Sequence, residues 1–365
     1  TEFGTTYNAY LVKGDTKTAL IETVHEKYFD EYLENIKDVC DVGSIDYLIM
    51  NHCEPDHSGS VRQLLEINPD IQVIASVPGA KYLSKITNYA LNARAVKDGE
   101  MIDLGGKSLS FIIAPFLHWP DSMFTYIESD KALFSCDFFG THYCEPRIFD
   151  KYIRYPMDYE SSFECYYQAI FSPFKSFVIA GLDKIKGLDI DMICTSHGPV
   201  LTEKINEVKE KYRRWSTIER KGKKALVLYV SAYGYTETLA NTAVEVLISE
   251  GFEAEIFNVI ESDYTEIKEK IDSADVFMLG TPTINRDALK PIWDVVSSID
   301  AIINKDKPCG VFGSYGWSGE GVPMIVERLR SLKLKVFEDG FKANFKPSDE
   351  EIQKMREYTK GLCQA

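Results

Sequence analysis

The chain has 365 residues, 45% hydrophobic and 27% charged, so two ordinary globular domains are the natural expectation and a disordered or fibrous polymer is excluded. Lysine and arginine total 41 against 56 aspartates and glutamates, a formal net charge of −15. That balance speaks against nucleic acid and against an anionic membrane surface, since both recruit clustered positive charge.

Up to about residue 200 the pattern is one of short strands with a few helices between them. Apolar or alternating runs at 7–12, 18–22, 47–50, 71–75, 108–114, 132–136 and 192–195 end at Gly, Pro, Asp or His and predict strands. Helical periodicity falls near 26–36 and 60–67, and the mixture predicts an α/β sandwich of two sheets covered by helices. An amphipathic helix is expected over 203–218, followed by a basic stretch at 219–224. The domain boundary is placed there, giving domains 1–221 and 222–365. Beyond it the style changes to regular alternation. Strands are predicted at 225–230, 254–258, 276–279, 308–313 and near 335–337, with helices over 237–249, 264–271, 291–299 and 321–331 between them. Five strands in that alternation imply a doubly wound, five-stranded parallel sheet.

The strongest chemical signal is His52-Cys53-Glu54-Pro55-Asp56-His57, directly after the strand at 47–50. Four carboxyl or imidazole side chains able to ligate a metal lie within six residues. His118 follows the strand at 108–114, Asp137 ends the strand at 132–136, and His197 follows the strand at 192–195. Each stands where a strand feeds a loop, so one end of the sandwich can gather them all. Isolated acids and histidines in loops are ordinary surface groups, but so many together without a cation would repel and be costly to desolvate. A metal centre is therefore expected. The two remaining histidines, His25 and His142, read as surface or hydrogen-bonded residues.

Scattered cysteines complete the picture. Cys40, Cys53, Cys136, Cys144, Cys165, Cys194, Cys309 and Cys363 include no CxxC pair, so neither a disulfide framework nor a fused rubredoxin-type iron site is expected. A reducing, cytoplasmic setting follows. No apolar run is long enough to cross a bilayer. The sequence opens at Thr1 without an initiator methionine, and a start further upstream is expected.

In the second domain, Ser231-Ala232-Tyr233-Gly234-Tyr235-Thr236 joins the first strand to a helix. Small hydroxyl residues and a glycine at such a turn make a phosphate site, with backbone N–H groups of the helix start facing the anion and Ser231, Thr236 and Thr238 adding hydroxyls. No GxxxxGK[ST] and no GxGxxG is present, which weighs against a nucleoside-triphosphate loop and a dinucleotide fold. Two later loops, Thr281-Pro282-Thr283-Ile284-Asn285 and Ser314-Tyr315-Gly316-Trp317-Ser318-Gly319, also follow parallel strands at the carboxyl ends where such sheets bind ligands. Tyr315 and Trp317 offer flat faces, and Gly316 and Gly319 let the backbone approach a ring. Loop packing alone would account for one aromatic pair; three loops at three strand ends predict a flavin.

The metal motif resembles the metallo-β-lactamase-like αββα fold, whose hydrolases carry HxHxDH followed by His, Asp and His. Glu54 replaces the middle histidine, and a negative oxygen donor in place of a neutral nitrogen favours iron over zinc. The HxExDH variant resembles the flavodiiron family, and the second half resembles flavodoxin, so the resemblance covers nearly the whole chain. It implies that His52, Glu54 and His118 hold one iron, Asp56 and His197 the other, and that Asp137 bridges them. His57 matches a position that ligates the second iron in some members. The resemblance further implies FMN in the second domain and two non-haem irons in the first. Dioxygen or nitric oxide is then the substrate, rubredoxin or another electron donor supplies the electrons, and the assembly is a head-to-tail homo-oligomer, dimer or tetramer. Trp119, Tyr143 and His142 are candidate neighbours tuning the choice of gas. Only the extreme N-terminus is shorter than the family shows. Two competing readings are a zinc-dependent hydrolase carrying a flavodoxin module, opposed by Glu54, and a pure electron carrier, opposed by the complete ligand set.

Overall fold

The computed structural model describes residues 2–217 and 223–365. The chain separates into two compact units, Thr1–Ile218 and Glu219–Ala365. The expected boundary at 221/222, the end of the helix expected over 203–218 and most of the basic stretch at 219–224 lie outside the described residues.

The first unit is a four-layer sandwich. One sheet runs Tyr10–Lys13, Thr18–Ile21, Tyr47–Met50, Gln72–Ser76, Arg94–Val96; only its first pair is antiparallel. The other runs Met192–Thr195, Ala132–Cys136, Met123–Ile127, Ser108–Ile113, Met101–Asp103, and only the pair Met192–Thr195 and Ala132–Cys136 is parallel. Between the sheets lie Ile49, Ile74, Leu109, Phe111, Met123 and Phe134. Helices Phe29–Lys37, Val61–Ile67 and Val77–Ile86 close the first sheet over Leu48, Met50 and Val73. Helices Pro156–Tyr166, Lys175–Lys184 and Ile205–Ser216 close the second with an aromatic core that includes Phe138, Phe163, Phe171 and Tyr212. Burial of such rings dominates the stability of this layer, each removing a large apolar area from water. The expected strands all form to within a few residues. Strands Arg94–Val96, Met101–Asp103 and Met123–Ile127 and helices Val77–Ile86, Pro156–Tyr166 and Lys175–Lys184 are additional to those expected.

The second unit is a parallel sheet in the order Glu253–Asn258, Lys224–Tyr229, Val276–Gly280, Pro308–Tyr315 and a fifth edge position. That edge is not the single strand expected near 335–337. Lys335–Val336 pairs with Pro308–Cys309, and Phe341–Asn344 pairs with Phe312–Tyr315. The interruption holds Gly340 at φ +81, where a Cβ would lie 2.5 Å from Val322 and 2.9 Å from the Val311 carbonyl, so the edge breaks at the one residue that fits. Helices Tyr264–Ser273, Lys290–Ser298 and Gly321–Ser331 cover one face. Tyr235–Ser249 and a C-terminal helix, Asp349–Gln364, cover the other. The sequence reading lacks this last helix, although Ser348 and Glu351 form a reciprocal capping box at its start. The strand order 2-1-3-4-5 puts a topological switch between the first and third strands, where open sheets take ligands. Among the described residues no helix is long and apolar enough to cross a membrane.

Candidate metal centre and cofactor loops

All the candidate ligands emerge at one end of the sandwich. His52 and Glu54 leave the strand Tyr47–Met50, and Pro55 starts a single helical turn, Pro55–Ser58, that carries Asp56 and His57. Cys136 ends its strand at φ 51, an uncommon conformation for a side-chain-bearing residue, and so turns Asp137 out of the sheet. The neighbouring strand slips register between Cys194 and Thr195 and delivers His197 beside it. His118 comes from the turn after Ser108–Ile113.

These side chains converge as two groups of donors. In the first, His52 Nε2 lies 3.3 Å from Glu54 Oε2 and 3.6 Å from Asp137 Oδ2, and His118 Nε2 lies 3.1 Å and 3.4 Å from the same two oxygens. In the second, His57 Nε2 is 3.4 Å from Asp56 Oδ1 and 3.1 Å from Asp137 Oδ1, and His197 Nε2 is 3.1 Å from Asp56 Oδ2 and 3.3 Å from Asp137 Oδ1. Four donors set tetrahedrally about one cation, each about 2.0–2.2 Å from it, stand roughly 3.3–3.6 Å apart. The acid–imidazole distances in both groups, 3.1–3.6 Å, lie close to that spacing. Asp137, 2% exposed, gives Oδ2 to one group and Oδ1 to the other. His57, whose ligation the motif leaves open, points Nε2 into the second group.

A cation held between these donors would also satisfy buried polar atoms that have no partner within the protein. His57 Nε2, Asp56 Oδ1 and Asp137 Oδ1 are buried without a well-formed hydrogen bond, close to one another but misaligned. Such groups are costly unless a ligand satisfies them. The charges respond accordingly. Burial opposes charging of His52, but Asp121, Glu54 and Asp137 push it up to about 10; burial opposes His197 likewise, and Asp137 and Asp56 push it to about 10. Burial raises Glu54, yet His118 and His52 hold it near 2, and the surrounding imidazoles hold the buried Asp137 well below the usual carboxylate range.

Outside the donors lies a set of supports that the sequence reading lacks. Asp121 Oδ2 is 3.3 Å from His52 Nδ1 and accepts from the Cys53 amide at 2.7 Å, and the Thr6 carbonyl is 2.7 Å from His197 Nδ1. Each fixes its imidazole with Nε2 toward the donors. Only Asp121 left a trace, as the carboxylate three residues after His118. Buried Glu22, pushed up to about 8 by burial, accepts from the Asn51 amide next to His52. Trp119 meets the His52 ring edge-on at 5.2 Å, and His142 lies 5.4 Å from the His197 ring. Tyr143 instead packs on Tyr159. His142 stays outside the donor groups with Nδ1 3.0 Å from Thr5 Oγ1, and His25 accepts from the Lys27 amide.

In the second unit the loops after three strands gather at one edge. Gly234 adopts φ +78 as the cap of Tyr235–Ser249 and has no side chain to offer; Ser231 takes the Glu237 amide, and the amides of Tyr235 and Thr236 are left for an anion. The hydroxyls are less free than the sequence suggests. Thr236 is buried and bonded to Ser314 at 2.9 Å, Ser231 accepts from the Glu237 amide at 3.4 Å, and Thr238 donates to the Gly234 carbonyl. Thr281 turns inward, donating to the Pro282 carbonyl and accepting from the Leu289 amide, and Thr283 accepts from the Gly321 amide. What faces solvent is Tyr233, Ile284 and Trp317, the last 99% exposed, with Tyr235, Asn285 and Tyr315 beside them. An open rim of aromatics around bare helix amides fits a planar ring bearing a phosphate. Phe345, packed on Gly316, and Lys342, packed on Gly319, join this rim without having been expected.

Two family models match the chain: the ODP family β-lactamase over residues 5–198 and flavodoxin over 227–358. The flavo-diiron protein FprA2 of Clostridium acetobutylicum is 55% identical over 97% of this chain and 90% of its own length. A nitric oxide reductase of Moorella thermoacetica is 34% identical over 98% of the chain and 90% of that protein. Among solved structures, the rubredoxin oxygen:oxidoreductase of Desulfovibrio gigas aligns over 99% of the chain and 91% of its own, with 28% identity and a TM-score of 0.65.

Proposed function

The chain belongs to the flavodiiron family of oxidoreductases, which carry FMN and a di-iron centre, and from that premise we propose that it reduces a diatomic gas, dioxygen to water or nitric oxide to nitrous oxide. The observation that carries the proposal is the shared carboxylate: one oxygen of Asp137 faces each donor group. We assign His52, Glu54 and His118 to one iron, Asp56, His57 and His197 to the other, and Asp137 to both. FMN is assigned to the loops 231–236, 281–285 and 314–319. When bound, the metal pair and the flavin supply electrons singly to a small ligand, which redox-inert zinc does not.

The chain's own residues do the rest. Asp121 and the Thr6 carbonyl hold two imidazoles in the tautomer that leaves Nε2 free. Trp119, Tyr7, Tyr166, Phe171 and Phe174 ring the donors with aromatic carbon, which limits water and suits a small apolar substrate. Glu54 is the most exposed donor, its side chain 36% open, so the first group has the freer side for exchange with solvent. FMN held by these loops would take electrons from a rubredoxin-type donor and supply them to the metal pair across subunits of a head-to-tail homo-oligomer; a monomeric variant should keep its cofactors and turn over slowly. The names of the Moorella and Desulfovibrio relatives support one gas each.

The test is metal analysis followed by gas electrodes on the loaded, chemically reduced protein. Iron with rapid loss of either gas supports the assignment, and the faster gas names the substrate. Zinc, with neither gas consumed, would turn the reading toward hydrolysis.

A further inference from the structure

We propose that a file of tyrosines and a tryptophan, bridged at one point by Phe171, connects the metal centre to the surface at Trp215 and carries single electrons inward when dioxygen arrives faster than flavin delivers them, an inference that rests on the dioxygen-reducing reading. The path is continuous. Tyr166 lies 6.2 Å from the His197 ring and 6.1 Å from Phe171, Phe171 lies 5.6 Å from Tyr212, and Tyr212 lies 5.0 Å from Tyr167. Tyr167 then meets Trp215 at 4.9 Å, and Trp215 is partly exposed on helix Ile205–Ser216.

The two flanks of the metal centre differ in chemistry. Beside His118 the rings are Phe171, Trp119 and Phe174, with Phe177 and Phe116 beyond; phenylalanine is very hard to oxidise, so on that side Trp119 is the one ring able to give up an electron and no second oxidisable ring follows it among these contacts. Beside His197 the file is tyrosine and tryptophan, joined through one phenylalanine. Simple packing asks only for large apolar rings on both sides. Tyr167 donates or accepts at 2.7 Å with Ser216 Oγ, so its phenolic proton has a partner atom while the ring is one electron short. Tryptophan at the outer end gives up an electron without losing its proton first.

The step balances. An oxidising equivalent at the centre takes one electron and one proton from Tyr166. Trp215 and Tyr167 refill that ring through Tyr212, the electron tunnelling past Phe171, which is not itself oxidised, and Tyr166 takes back a proton from solvent. A thiol-type reductant in solvent finally gives up one electron and one proton, the centre has gained both, and every ring ends as it began. The file discharges the centre before the oxidant attacks its own ligands.

The experiment uses the full chain loaded with iron and FMN, reduced stoichiometrically, mixed with dioxygen without further donor and freeze-quenched. Electron paramagnetic resonance should show a protein-based aromatic radical, and peptide mass mapping should find added oxygen concentrated at Trp215. Trp215→Phe should lose that radical, move oxidation to the ligand loops and shorten the enzyme's working life severalfold. Trp215→Tyr should restore the lifetime and give a tyrosyl spectrum. Normal dioxygen consumption with no protein radical and an unchanged lifetime in Trp215→Phe would overturn the proposal. A parallel arm with hydrogen peroxide does not depend on dioxygen being the substrate: oxidation at Trp215 there supports the path, and oxidation confined to the ligand loops refutes it.

Discussion

At the metal end seven side chains from four separate loops, four of them buried and three partly so, meet with acid–imidazole distances of 3.1–3.6 Å. At the flavin end the contacts on offer are the backbone amides of Tyr235 and Thr236 at a helix start and aromatic rims in solvent, while most of the hydroxyls in the loops are spent tying those loops together. One site is made of side-chain identity, the other of backbone shape. A substitution at the first should therefore remove a donor outright. At the second it should only reshape a cradle.

The sharpest test of that difference is Asp137→Ala. The residue serves both donor groups, so iron content should fall at both positions and gas consumption should vanish, while FMN stays bound. Metal analysis beside flavin absorbance checks this; iron retained at one position would break the bridging assignment.

Next in size is the response to pH. All six histidines lie in the first unit, and His52 and His197 stand near 10 when folded and metal-free, against about 6.5 unfolded. Their stabilising contribution is complete below 6.5 and is lost as pH rises toward 10. Iron requires the same imidazoles neutral, so the stabilisation it adds should grow over that window. The second unit runs the other way. Burial pushes Lys307 down to about 8 against about 10.4 unfolded, so its unit gains stability as pH rises between those values. Melting curves of the chelated and loaded chain across the window would resolve the opposing slopes, and parallel slopes in both units would refute the argument.

Asp121→Asn takes away the charge behind one imidazole and leaves every ligand in place. Outer partners of this kind are worth roughly 10–100-fold in metal affinity. Iron affinity should fall by that factor, measured by competition with a chelator, with FMN affinity unchanged.

The same contrast explains what could be read from sequence. His52, Glu54, Asp56, His57, His118, Asp137 and His197 were legible because ligand chemistry names residue types and because continuous apolar strands such as Tyr47–Met50 and Ala132–Cys136 stop where the ligands begin. Asp121 reaches His52 across 69 positions, and the Thr6 carbonyl belongs to the backbone, so neither has a local signature. Strands Arg94–Val96 and Met101–Asp103 are three residues each with exposed charged positions, and the exposed Met101 hides in sequence the alternation that Met101–Asp103 shows in burial. Helix Pro156–Tyr166 buries Tyr159, Ser162, Phe163 and Tyr166, and mixing polar with aromatic residues on the inner face hides its stripe. In the flavin unit the turn at Gly234 was legible as turn chemistry. The inward use of Thr236, Thr281 and Thr283 was not, because a hydroxyl reads the same whether it meets a ligand or a neighbouring loop.

The smallest effect tests the backbone side directly. Gly234 sits at φ +78, and a Cβ there would meet only Glu237 Oε2 at 4.0 Å, so Gly234→Ala introduces no clash. What it changes is conformational preference, about 1–2 kcal/mol against the left-handed region. If the open amides at the start of Tyr235–Ser249 depend on that turn, FMN affinity should weaken about 5–30-fold, the factor such an energy sets. Iron content and the melting of the first unit should stay as they were. Flavin titration of the stripped protein reads the change. An unaltered affinity would mean that the phosphate is held by side chains after all, and the division between a side-chain site and a backbone site would fail at the end where it is least obvious.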